Sequence, residues 1–146
     1  MTKIPLILCL GLFFAASTSR AADTFAQKDL EGTWKGSWVT PKTKFTYTLT
    51  FKVDAKGSIK GTYGHPNEKA NPGLGGTLTL SKADGQISGD IKFGSDVVFN
   101  AQQDVKIEKV TEGNQTHLRI SGLFITKAFP GELGKDQLDV TKEEGK

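Results

Sequence analysis

Apolar and polar residues alternate with a period of two along much of this chain. The cleanest run puts Phe45, Tyr47, Leu49, Phe51 and Val53 on one parity and Thr46, Thr48, Thr50 and Lys52 on the other. Such alternation predicts a strand with one buried and one wet face. Four further stretches share a narrower pattern, in which two large apolar residues flank a glycine with one spacer on each side. They are Trp34-Lys35-Gly36-Ser37-Trp38, Ile59-Lys60-Gly61-Thr62-Tyr63, Ile87-Ser88-Gly89-Asp90-Ile91 and Ile120-Ser121-Gly122-Leu123-Phe124. Each reads as a strand with a glycine in the middle of its apolar face.

Turn residues divide the chain into eight such strands. Strand one is 32–40 and is followed by Pro41-Lys42-Thr43; strand two, 45–53, ends at the tight turn Asp54-Ala55-Lys56-Gly57. Strand three is 58–64, and a long loop, 65–73, separates it from strand four, 76–82. Strand five is 86–93. Strand six, 97–110, is interrupted near Asn100–Gln103, where a bulge or break is expected. Strand seven is 116–125, a second long loop is 126–135, and strand eight is 137–141. No stretch has the helical period and length a crossover needs. The expected architecture is therefore all-β: an eight-stranded antiparallel up-and-down meander closed into a barrel, which removes both sheet edges.

Strand parity then assigns the ends. Connections after even strands are tight. Those after odd strands include both long loops, so that end is expected to be open. The second apolar residue of each motif, Trp38, Tyr63, Ile91 or Phe124, faces it, while Trp34, Ile59, Ile87 and Ile120 lie deeper. Lys35, Lys52, Lys60, Lys92 and Lys106 fall on the outward parity, so the interior is expected to hold no charge. Trp34, Phe45, Phe51, Phe93 and Phe99 are candidates to fill it.

The first residues stand outside this pattern. Lys3 precedes an unbroken apolar run from Ile4 to Ala16, and Ser19-Arg20-Ala21 places small residues three and one before a cut. That is the plan of a secretory signal peptide over 1–21. A polar lead-in with one helical turn, 22–30, would precede a single barrel domain over 31–141. A charged tail, 142–146, is predicted to be disordered. Localisation is expected to be periplasmic or secreted.

Charge changes once the signal is set aside. The chain carries 19 Lys+Arg and 16 Asp+Glu. Lys3 and Arg20 belong to the signal, which leaves 17 against 16 and a net charge of +1. Arg119 is then the only arginine. A near-neutral surface gives no reason to expect nucleic acid or an anionic membrane as partner. Cys9, inside the signal, is the only cysteine, so no disulfide is available to the mature chain. Its size suffices for a core without one. Asn114-Gln115-Thr116 matches a glycosylation acceptor but reads as a polar turn.

Chemistry is sparse. His65 and His117 are the only histidines. His65 with Glu68 supplies two of the ligands a metal would need, which makes no site. There is no nucleophilic cysteine, no serine in a strand–turn–helix context, no inward pair of carboxylates and no phosphate-binding loop. No cofactor, no metal and no catalytic residue is expected, and the chain is read as a non-enzyme.

Gly32-Thr33-Trp34, then Asp54-Ala55-Lys56-Gly57 and Ile59-Lys60-Gly61-Thr62-Tyr63, resemble the opening of the avidin and streptavidin family. More loosely they are similar to the Gly-x-Trp opening of the lipocalins, within the calycin type of barrel. The resemblance covers Leu30 to about Phe93, roughly half of the chain, and implies an eight-stranded barrel with its pocket at the mouth. Tyr63 matches a tyrosine that hydrogen-bonds the ureido oxygen of biotin. Gly36 stands where that family has an asparagine, and Trp34 and Trp38 are the only tryptophans, so the biotin pocket does not transfer.

The function expected is a small exported binding protein taking a mainly apolar molecule at the open end. Trp38, Tyr47, Tyr63, His65, Phe124 and Phe129 are its candidate ligand contacts. The alternative is a module that binds an envelope or extracellular protein, or inhibits an enzyme, through loops 65–73 and 126–135. Export should yield a chain that begins at Ala22. Intact mass of the exported protein checks this, and a mass that still includes residues 1–21 would overturn it.

Overall fold

The computed structural model describes residues 23–40, 44–81, 85–93, 97–101, 105–128 and 132–145, with backbone alone for 97–101, 125–128 and 132–134. One helical turn, α1 (Gln27–Leu30), precedes nine strand segments. These are β1 (Gly32–Thr40), β2 (Phe45–Val53), β3 (Ser58–Gly64), β4 (Asn71–Leu80), β5 (Ile87–Phe93), β6 (Val97–Ala101), β7 (Lys106–Glu112), β8 (Gln115–Ala128) and β9 (Glu132–Lys142). All pairings are antiparallel.

β6 and β7 form one interrupted course along the same flank of β8. β7 pairs with its first half, Gln115–Ser121, and β6 with Ile125–Lys127. Counted this way the sheet has the expected eight antiparallel strands in up-and-down order. The sheet curls through 224°, a half-barrel, compatible with a calycin-like fold. Full closure into a barrel is therefore a correction to the sequence reading. The seam is thin: Val98, Phe99 and Asn100 pair with Lys127, Thr126 and Ile125, while β8 and β9 pair along ten positions.

Glycines make the curl possible. A Cβ on Gly36 would lie 2.0 Å from the Asp139 carbonyl oxygen and 2.6 Å from the Val140 Cα. Gly89 sits at φ +149, where a Cβ would meet the Thr77 carbonyl oxygen at 2.0 Å. Any side chain would push the neighbouring backbone away. The four motif glycines also face large residues across the ladder: Gly36 opposes Leu49 and Val140, Gly61 opposes Phe51 and Leu74, Gly89 opposes Leu78, and Gly122 opposes Leu138.

The end with the tight turns is closed by side chains. Asp54 holds the β2–β3 turn, its Oδ1 accepting from the Lys56 and Ser58 amides at 2.9 Å each, with Gly57 at φ +83. α1 lies across this end as a plug. Asp29 reaches back to the Ala26 amide at 2.7 Å, half of a capping box. Leu30 is fully buried, and its carbonyl oxygen accepts from Trp34 Nε1 at 2.8 Å. The Gln27 side chain acts as an extra ladder rung, donating to the Leu78 carbonyl at 3.3 Å and accepting from the Leu80 amide at 2.8 Å. Above it, Trp34, Leu49, Phe51, Ile59, Leu78, Ile87, Ile107, Ile120 and Val140 form one buried cluster.

Three boundaries differ from the sequence reading. β4 begins at Asn71 rather than 76, because a register shift at Gly61/Thr62 lets pairing continue past the glycines. β8 and β9 run into the segment read as the second long loop, leaving only 129–131 between them. β9 also continues through Lys142 into the segment read as a disordered tail. The Glu143 amide donates to the Thr33 carbonyl at 2.8 Å, and its carboxylate lies 2.6 Å from Lys35 Nζ.

Gly36→Ala should destabilise the fold by about 1–3 kcal/mol through strand displacement. Gly145→Ala, where a Cβ would meet nothing within 4 Å, should leave the urea midpoint unchanged. Equal midpoints for the two variants would contradict the close-approach account.

Candidate ligand-binding mouth

The inward column of β2 shows how the mouth arises. Val53, Phe51 and Leu49 are buried, Tyr47 is half-buried, and Phe45, at the same parity, is 49% exposed. A single exposed aromatic is ordinary, but one that joins other rings in a contiguous patch marks an interaction surface. Here neighbouring strands supply more rings. The His65 ring stacks on Tyr47 with centroids 4.7 Å apart and lies 5.3 Å from Phe45. Tyr63 meets Tyr47 edge-on at 6.3 Å. Phe93, on β5, touches both tyrosines, at 5.9 Å from Tyr47 and 4.9 Å from Tyr63.

A second layer lies beneath. Trp38 meets Phe93 edge-to-face at 5.2 Å and Phe124 at 5.0 Å. Trp38 and Phe124 are fully buried. The pattern of exposure therefore splits the candidate residues into a solvent-facing ledge, Phe45, Tyr47, Tyr63 and His65, and a floor, Trp38 and Phe124, with Phe93 joining them. Tilted and edge-on ring pairs at these distances stabilise one another beyond their buried area.

Five of the six residues singled out from the sequence thus belong to one contiguous aromatic cluster. Phe129 lies outside the described residues. Phe45, read from the sequence as core, is instead the exposed rim, while Phe93 is buried as expected and also bridges to both tyrosines. The pattern could have shown this: Phe45 occupies the last inward position of β2, at the end opposite α1.

The floor also holds what the sequence reading missed. Asp136 is 5% exposed, and its Oδ2 accepts from Trp38 Nε1 at 2.9 Å. The expectation of a charge-free interior is corrected by this residue. It fell between the segment read as the second long loop, 126–135, and the strand read as 137–141. Once β9 starts at Glu132, Asp136 shares the inward parity of Leu138 and Val140 and pairs directly with Phe124. A buried indole N–H requires an acceptor, and that requirement was the available signal: Trp38 on an inward parity demanded a partner that no neighbouring apolar strand position could give.

The other polar features belong to the outer face and the closed end. Arg119 forks onto Asp139, with Nε to Oδ1 at 2.8 Å and Nη2 to Oδ2 at 2.5 Å, and Glu108 lies 4.0 Å away. The hydrogen bonds to Asp139, and then its charge, hold the guanidinium above its ordinary value, so Arg119 is a permanently charged cross-strand clasp. The lysines read as outward, Lys35, Lys52, Lys60, Lys92 and Lys106, are exposed. A groove of about 540 Å³ at the closed end is lined by Asp29, Lys109, His117, Lys142 and Glu143. Its two lysines are engaged locally: Lys142 Nζ donates to the Asp29 carbonyl at 3.0 Å, and Lys109 Nζ lies 3.7 Å from Asp23. His65 and Glu68 are joined by a backbone turn, the Glu68 amide donating to the His65 carbonyl at 3.1 Å. Among the described residues no group of three or more His, Cys, Asp or Glu is placed to hold a metal ion, and no helix is long and apolar enough to cross a membrane.

Phe124→Ala should cost about 3–5 kcal/mol as a floor residue. Phe45→Ala, at the rim, should stay within about 1 kcal/mol. Urea denaturation of both variants distinguishes them, and similar losses would contradict the division into ledge and floor. Comparison of the chain with protein-family models, with curated proteins and with solved structures finds no match.

Proposed function

We propose that this chain is an exported binding protein of calycin type whose curled sheet takes a mainly apolar small molecule at its open end. The observation that carries this reading is the rise of the β2 inward column from buried Leu49, through Tyr47, to the half-exposed Phe45, beside Tyr63 and His65. Aromatic rings held in fixed mutual geometry at a concave end provide contact area at little conformational cost. The tightly packed opposite end makes the scaffold rigid beneath them.

Export rests on the apolar run and small-residue cut of 1–21. Absence of cysteine from the mature chain suits a bacterial envelope or exterior, where small domains rely on their cores. The resemblance to the avidin and lipocalin openings supports the barrel type and, with Gly36 in place of the expected asparagine, argues against biotin. Binding of an envelope or extracellular protein through 65–73 and 126–135 is the competing reading. Its second segment is now mostly strand, which leaves less free loop for a partner to grasp.

Native mass spectrometry of the protein purified from its own source separates the two readings. A bound small molecule, lost or weakened on Tyr47→Ala or Tyr63→Ala, is the expected result. A bound protein with no small molecule, or a species that remains bare, would overturn the mouth as a ligand site.

A further inference from the structure

We propose that Asp136, held beneath the aromatic mouth, anchors a protonated amine of the ligand. This rests on the mouth being the binding site. Asp136 is 95% removed from solvent, since its exposure is 5%. Among the described residues its carboxylate has a single partner, the N–H of Trp38, on Oδ2. Oδ1 has no hydrogen-bond or ion-pair partner among the described residues. A carboxylate taken out of water normally has a cation or several donors around it, because each uncompensated oxygen carries a desolvation penalty.

An indole anchor alone does not require an acid. An amide or a backbone carbonyl would accept from Trp38 Nε1 without placing a charge in the interior. The carboxylate therefore supplies something beyond the anchor: a second oxygen, oriented by the bond to Trp38, whose acceptor capacity no described residue takes up. Its position suits that role. Asp136 sits one inward step closer to the open end than Leu138, which pairs with Trp38, and it is directly opposite Phe124.

The surrounding rings point to the class of donor. Aromatic faces attract cations and not anions. Trp38 and Phe124 flank the carboxylate, and Phe93 and Tyr47 lead outward from them to the rim. A ligand with an apolar or aromatic body and one ammonium group satisfies every element: the body lies on the ledge, the ammonium meets Oδ1, and the rings stabilise its charge. Carboxylate and ammonium then form a charge-assisted hydrogen bond in a water-poor site.

Titration calorimetry of the mature chain with a matched pair of probes, 1-naphthylmethylammonium and neutral 1-naphthalenemethanol, tests this. The native chain should bind the amine at least about tenfold more tightly than the alcohol. Asp136→Asn keeps an acceptor for Trp38 Nε1 but removes the charge. It should bring the two affinities together while leaving that for the alcohol nearly unchanged. Equal affinities in the native chain would overturn the proposal, and this comparison needs no variant to fold. So would an amine preference that survives in Asp136→Asn. In either case binding of the alcohol would leave the mouth standing as an apolar site. Failure of both probes to bind would remove the mouth and the amine anchor together.

Discussion

The packing of bare glycine backbone against the backbone of the next strand is the contact on which this molecule depends. At Gly36 the neighbouring Asp139 carbonyl occupies the place of a side chain, and at Gly89 the Thr77 carbonyl does the same. The sheet can bend sharply there. The space released on the concave side is taken by large residues across the ladder, Leu49 and Val140 opposite Gly36 and Leu78 opposite Gly89. Curl and core are thus one effect: a flat sheet would expose those residues, and a side chain on either glycine would flatten the sheet.

From the curl follows the difference between the two ends. At the tight-turn end, α1 inserts Leu30, Trp34 donates to its carbonyl, and Gln27 completes the ladder. At the other end nothing comparable covers the inward columns among the described residues. Tyr47, Tyr63, His65 and Phe45 stack on one another instead and keep part of their surface wet. Trp38 joins the two regimes. It is core by burial and site by position, and its N–H draws an acid into the interior.

Much of this was legible in the chain because strand geometry is local. A period of two sorts Phe45 to Val53 into faces without reference to any other strand. The turn residues at Asp54–Gly57 state where that strand ends. Of the interruption expected near Asn100–Gln103, Asn100 and Ala101 belong to β6, and 102 and 103 lie outside the described residues. Even the aromatic cluster was within reach, because shared parity and strand direction place Trp38, Tyr47, Tyr63 and Phe124 toward one end before any distance is known.

What the chain could not state by itself were the consequences of pairing. Whether eight curled strands close fully depends on angles accumulated over every ladder, and they reach 224°. The start of β9 at Glu132 is set by ten residue pairs with β8, and the sequence there has too little alternation to mark it. Asp136 went unread for that reason. Its parity exists only once the strand does, and its role exists only because Trp38, 98 positions earlier, needs an acceptor. Local chemistry determined which residues face inward. Long-range pairing decided how deeply each lies, and hence that Trp38 and Phe124 form a floor, Phe45 a rim, and a single acid stands between them.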